Sequence, residues 1–254
     1  MNQCIFCKSR TNEFTQTEHL IPESLGGDQV LPPGFVCDPC NGYFGREVER
    51  RALDTPILSF LRTSLCIPNK KGDQRHYEGF RFEVFGQDSG ESFVVFPPKK
   101  LQYVLEHGEG QMLIPITGLG AIARLMLKMG LECIALDQQC DIFDPIFDDA
   151  RVAARAPKPN MTWPLAYGRL RLEDTVVEVQ EDDEGLTIEE LVYDYTLLFD
   201  RELGLRLFSF TYNWATFLVP VQMGDFAKVV YQTNSLNPPE CQLSIVQADL
   251  LRDI

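Results

Sequence analysis

Apolar and polar positions divide the chain into stretches with different periods. Residues 1 to about 53 carry little continuous apolar sequence and are dense in Cys, Gly, Pro and charge, the texture of a small metal-built module too short to own much core. The apolar run from Pro56 to Leu65 predicts a helix, and the turn-rich stretch Pro68 to Asp73 follows it. Phe80 and Phe82 alternate with Arg81 and Glu83, and Phe93 to Phe96 is nearly continuous, so both predict strands. Residues 117–136 predict one helix. Ile122, Leu125, Met126 and Met129 recur at three- and four-residue steps, with Arg124 and Lys128 off that face. After the proline-interrupted stretch Pro145 to Pro164, strand signals return at Leu170 to Val179, Leu205 to Tyr212, Ala215 to Val221 and Ala227 to Tyr231. The expected fold class is α+β, with residues 1–53 as one small domain and residues 54–254 as a larger α+β domain.

Composition narrows this picture. The 254 residues are 44% hydrophobic and 24% charged, so an ordinary buried core is expected and wholesale disorder is not. The longest apolar stretch, Ala121 to Ala135, is broken by Arg124, Lys128 and Glu132, so no membrane span is expected. Cys4 and Cys7 follow Met1 without a basic-then-apolar leader, which makes a cytoplasmic setting the expectation. Thiols stay reduced there, so eight cysteines point to metal or burial rather than bridges. Cys66, Cys133, Cys140 and Cys241 are scattered and read as small core residues. The net charge of −14 argues against a simple cationic clamp on nucleic acid. From Arg171 onward the balance is roughly −11, against roughly −3 before it, so a partner or oligomer contact is assigned to the acidic later part.

Cys4-Ile-Phe-Cys7 and Cys37-Asp-Pro-Cys40 are two C-x-x-C pairs about thirty residues apart. Each gap lets both thiolates of a pair face one ion, and two pairs complete a tetrahedral four-sulfur site that suits structural zinc. A redox dithiol is the competing reading, and the matched spacing favours zinc. Between the pairs lie Glu18-His19-Leu20-Ile21-Pro22 and Ser24-Leu25-Gly26-Gly27. Strand neighbours point to opposite faces, so Glu18 and His19 can serve one centre only where the chain is distorted, as at a strand end entering a loop. A surface pair is the plain alternative. Asp38 followed by Pro39 reads as an N-cap and first helical residue, after which Cys40, Phe44 and Val48 share one face. Asn41, Gly45 and Glu49 form the neighbouring stripe. Gly45 costs a helix about 1 kcal/mol relative to alanine. Its use is either room for a phosphate backbone or close packing against a strand.

The order C-x-x-C, Glu-His-x-x-Pro, Ser-Leu-Gly-Gly and C-x-x-C-Asn-x-x-Phe-Gly resembles the HNH nucleases, over residues 4 to about 53. More narrowly, it resembles the zinc-clamped standalone group whose motif ends in Cys-Asn and Phe-Gly. The resemblance implies an N-terminal ββα-metal module with structural Zn²⁺ on Cys4, Cys7, Cys37 and Cys40. It implies His19 as general base, with Glu18 and Asn41 holding one catalytic Mg²⁺ or Mn²⁺. Relatives carry an asparagine shortly before the second C-x-x-C that orients the base. Here that stretch reads Pro33-Gly34-Phe35-Val36, which leaves a backbone carbonyl to do so.

The expected function is therefore divalent-metal-dependent hydrolysis of DNA, with RNA as a second candidate substrate and a restriction or anti-phage setting as the associated role. A nonenzymatic zinc module binding nucleic acid or a protein is the alternative. Lys8, Arg10, Arg46, Arg50 and Arg51 are candidate phosphate contacts, with simple solvation as the competing reading. Residues 54–254 are expected to recognise a target or regulator. His76 and His107 read as bystanders, and Trp163, Trp214 and Tyr212 as core or edge residues.

Overall fold

The computed structural model describes residues 3–69, 72–79, 82–87, 92–97, 99, 106, 114–137, 140–168, 178–182, 185–189, 193–237 and 241–251. The N-terminal region ends in one long helical stretch: α1 (Asp38–Phe44), a π-helical turn (Gly45–Glu49) and α2 (Arg50–Leu53). Helix α3 (Pro56–Ser64) follows, with Pro56 in its first turn. It packs on an antiparallel sheet of β1 (His76–Gly79), β2 (Phe82–Gly86) and β3 (Ser92–Val95), where the Phe60 ring meets Tyr77 at 5.6 Å and Phe82 at 6.2 Å.

The longest helix, α4 (Leu119–Leu136), is central. Helix α5 (Asp148–Arg155) lies beside it. Next come β4 (Thr162–Gly168), the hairpin β5 (Glu178–Asp182) and β6 (Gly185–Glu189), then β7 (Tyr193–Asp200), β8 (Leu205–Tyr212) and β9 (Ala215–Pro220). Helix α6 (Phe226–Leu236) and β10 (Leu243–Asp249) end the described chain. Five strands form one antiparallel sheet in the order β10-β4-β9-β8-β7. Side chains alternate across it. Phe208, Phe210, Phe217 and Val219 join the core around α4, whereas Leu205, Leu207 and Leu218 pack with Phe226, Val229 and Val230 of α6.

One continuous set of buried side chains runs from Cys4 through Phe44 and Leu127 to Leu250. Helix α4 is the reason: it touches β4, β8, β9 and β10, and also the π-helical turn and α2 of the N-terminal region. No described helix is long and apolar enough to cross a membrane.

Two local expectations are corrected. Ala227 to Tyr231 is helical, not a strand. The Asp225 carboxylate accepts from the Lys228 backbone N–H and caps α6, outweighing the β preference of Val229 and Val230. Arg124 and Lys128, off the face of Ile122 and Met126, are buried as well, because α4 is covered on all sides. Asp38 is not the N-cap, a position held by Cys37. The Asp38 side chain turns back to accept from Thr15 N, Thr15 Oγ1 and Gln16 N. Of the expected strand at Leu170 to Val179, residues 170–177 lie outside those described, as does His107.

Candidate active site

The four cysteines of the paired motifs converge, with their sulfurs within 4.8 Å of one another and none in a disulfide. Cys7 Sγ and Cys37 Sγ are 3.6 Å apart. Sulfurs bound at about 2.3 Å around a tetrahedral zinc lie about 3.8 Å from each other, so the spacing fits. The donor chemistry fits as well. A hydrogen bond with Cys40 pulls the Cys4 thiol down to about 4 while pushing the Cys40 thiol far up, because neighbouring thiolates cannot all ionise without a cation between them. N–H groups support the sulfurs: Asn12 Nδ2 donates to Cys37 Sγ at 3.3 Å, and Arg155 Nε to Cys40 Sγ at 3.1 Å.

The clamp fixes the segment between the pairs. Its two extended stretches are joined by one antiparallel bridge, His19 to Val30, flanked by bonds from Leu20 N to Gln29 O and from Leu31 N to Glu18 O. The loop between them closes tightly, and a Cβ on Gly27 would fall on the Ile21 carbonyl. On the helix side, Cys40, Phe44 and Val48 are fully buried on one face. Asn41, on the next face, donates its amide N–H to Thr17 O at 2.8 Å. That bond ties Asn41 to the residue before Glu18 and leaves its side-chain oxygen as the available acceptor.

Glu18 and His19 are handled differently. Glu18 is 8% exposed and turned inward, its Oε1 2.7 Å from Lys128 Nζ. Lys128 is wholly buried and also bonds Glu49 at 3.2 Å, Glu132 at 3.1 Å and the His19 carbonyl at 3.3 Å. Burial alone would push a lysine down. The three carboxylates win, and the ammonium is held firmly protonated. Burial raises the Glu18 carboxyl, with Lys128 opposing, and raises the fully buried Glu132 carboxyl well above its usual range. The His19 ring is partly exposed, with Nε2 3.6 Å from Glu23 Oε1. Its Nδ1 is buried without a hydrogen-bond partner, so no backbone carbonyl orients the ring.

A four-thiol clamp frames a segment that carries the His19-Val30 bridge, and an Asn one turn into the following helix is tied to that segment at Thr17. Residues 4–56 match the HNH endonuclease family. The match covers about a fifth of the chain, and no curated protein or solved structure matches it. The HNH module is held from outside by later cations. Arg124 Nη2 donates to Tyr43 Oη at 2.7 Å, and Arg151 Nε to Ile5 O at 2.7 Å.

Of the basic residues singled out in sequence, Lys8 is bound to Asp148 at 2.6 Å and Arg51 to Glu47 at 2.8 Å. Arg10 donates to Gln3 at 3.0 Å, and the well-exposed Arg50 lies 4.0 Å from Asp54. Arg46 packs near Gly42. Sequence reasoning missed the buried Lys128 and Glu132, which join the partly exposed Glu49 of the Asn41 stripe. The only signal was a Lys and a Glu four residues apart inside an otherwise apolar helix. His76 pairs with Glu83 at 2.9 Å, away from the module, and Trp163 is a core residue donating to Pro220 O.

Proposed function

We propose that the protein is an endonuclease that hydrolyses DNA phosphodiester bonds, with His19 as general base and Glu18 and Asn41 holding a divalent cation. The observation that supports this reading is the bond from Asn41 to Thr17 O, which ties the amide to the residue before Glu18 and leaves its oxygen uncommitted. The donor set fits a hard cation: Asn41 offers Oδ1, and the Glu18 carboxylate has a second oxygen besides the one bonded by Lys128. Mg²⁺ or Mn²⁺ there would stabilise negative charge on the phosphoryl oxygens and the leaving 3′-oxygen. His19 takes the proton of the attacking water. Its ring is partly exposed, with Nε2 3.6 Å from Glu23 Oε1. Lys128 holds the His19 carbonyl and Glu18 together, so the base and the acid keep their relative placement.

The test is cleavage of plasmid, linear duplex, single strand and RNA by wild type and His19→Ala, with and without divalent metal. The expected outcome is Mg²⁺- or Mn²⁺-dependent DNA cleavage, reduced about 10²- to 10⁴-fold in the variant. Full activity in His19→Ala, or cleavage without metal, overturns it.

A second reading has its own observation. The Lys128 ammonium already neutralises Glu18 and sits among three carboxylates, as a cation-bound site would otherwise be. A zinc module that binds nucleic acid or a protein without cutting is favoured by that contact. Salt-dependent DNA binding with no cleavage under any divalent metal selects it.

A further inference from the structure

Outside the Glu18-His19 centre, three buried hydrogen-bond donors lack any partner in one neighbourhood: Arg62 Nη2, Arg75 Nε and Tyr212 Oη. They come from α3, the segment entering β1 and the end of β8. Arg62 is wholly buried, and among the described residues its only side-chain hydrogen bond runs from Nε to the Ser24 carbonyl at 2.5 Å. Tyr212 is wholly buried too, and its hydroxyl feels the charge of both arginines. Arg62 and Arg75 repel one another. That repulsion and burial together pull the Arg62 guanidinium down to about 10, so the pair is held close at a cost.

Arg62 and Arg75 line a cleft of about 430 Å³ whose opposite wall is the HNH module: Ser24, Gly45, Glu49 and Arg50. Asp54 and Asp73 also line it. Asp54 lies beside Arg50, and Asp73 bonds Asn69, so neither is hydrogen-bonded to the buried pair. Gly45 leaves open space at this wall, with nothing within 4 Å of an added Cβ. The wall adjoins the centre, since Glu49 shares Lys128 with Glu18 and Ser24 follows the Glu23 that faces His19.

We propose that Arg62 and Arg75, backed by the Tyr212 hydroxyl, form a phosphoryl-binding site in this cleft. Arg62 Nη2, Arg75 Nε and the Tyr212 hydroxyl, each without an acceptor, suit the oxygens of a tetrahedral oxyanion, and Arg donors are well matched to phosphate. Its assignment to a backbone phosphate neighbouring the one attacked rests on the nuclease reading. The phosphoryl chemistry does not.

The test is calorimetric titration of the His19→Ala protein with inorganic phosphate, so that no cleavage is needed, alongside Arg75→Gln and Tyr212→Phe in the same background. Expected is saturable binding of one phosphate per chain, weakened about tenfold or more by Arg75→Gln and less by Tyr212→Phe, with melting temperatures unchanged. No saturable binding by the parent, or equal affinity in folded Arg75→Gln, overturns the site. Oligonucleotide duplexes and mononucleoside 5′-phosphates are the further arms. Competition between duplex and phosphate that Arg75→Gln removes places a strand phosphate in the cleft. Competition by mononucleotide alone places a free phosphate ester there, and either result keeps the site. Absence of saturable phosphate binding by the His19→Ala parent, with cleavage by the wild-type chain intact, rejects this site alone. Metal-independent cleavage with phosphate binding intact rejects the nuclease mechanism alone.

Discussion

Lys128 Nζ sits 2.7 Å from Glu18 Oε1 with no exposure to solvent, joining a helix of the central core to the residue that precedes the candidate base. A buried charge of this kind adds little net stability when complete but is costly to break. Lys128→Met is expected to destabilise the protein by about 3–5 kcal/mol, because Glu18, Glu49 and Glu132 lose their only shared cation. Adding Glu132→Gln should recover part of the loss. Urea denaturation of the double-mutant cycle checks it, and a single-variant loss under about 1 kcal/mol would contradict the arrangement.

Zinc content is the next expectation. Metal analysis should give one zinc per chain, and Cys40→Ser should abolish it, since the sulfurs form one cluster rather than two separate pairs. Strong chelators should then lower the melting temperature, because metal-binding energy is folding energy in such modules. Retention of zinc by the variant would mean that Cys40 is not a ligand.

Gly27 and Gly45 should respond in opposite ways to alanine. Gly27→Ala drives a Cβ onto the Ile21 carbonyl and should unfold the loop around His19. Gly45→Ala meets open space within a helical turn and should stabilise by about 0.5–1 kcal/mol while narrowing the cleft and weakening nucleic-acid binding. Thermal melts with binding titrations on both variants separate the two. Equal effects from both would defeat this account.

Asp148 gives a pH expectation. Lys8 and then Arg151 hold its carboxyl below the usual aspartate range in the folded chain. A lowered folded value means stabilisation that is present above the unfolded value of about 3.9 and is lost as pH falls through the lower folded value. The side chain is about half exposed, so screening limits the effect to about 1 kcal/mol or less. The stability gap between wild type and Asp148→Asn should be full at pH 6 and close under acid conditions. A gap that widens on acidification contradicts the sign.

The zinc clamp was legible in the sequence because a two-residue gap between thiols is itself a geometric constraint. Helix α4 was legible from Ile122, Leu125, Met126 and Met129. Its polar members were not, since period alone cannot show that a helix is covered on every side, and the environment of Lys128 depends on residues more than a hundred positions away. Ala227 to Tyr231 misled because two valines outvoted a cap that only the fold makes visible. The unpartnered arginines had no sequence signature at all. Arg62 and Arg75 mean something only once α3, the entry to β1 and the end of β8 meet.

Four cations from later in the chain reach back to the first fifty-odd residues: Arg124 to Tyr43, Lys128 to Glu18, Arg151 to Ile5 and Arg155 to Cys40. During synthesis, the part that would cut nucleic acid therefore emerges well before the groups that lock it. A ribosome must make Arg155 before the last of them exists, so a nascent or truncated chain carries the four-cysteine segment without its full set of outside braces.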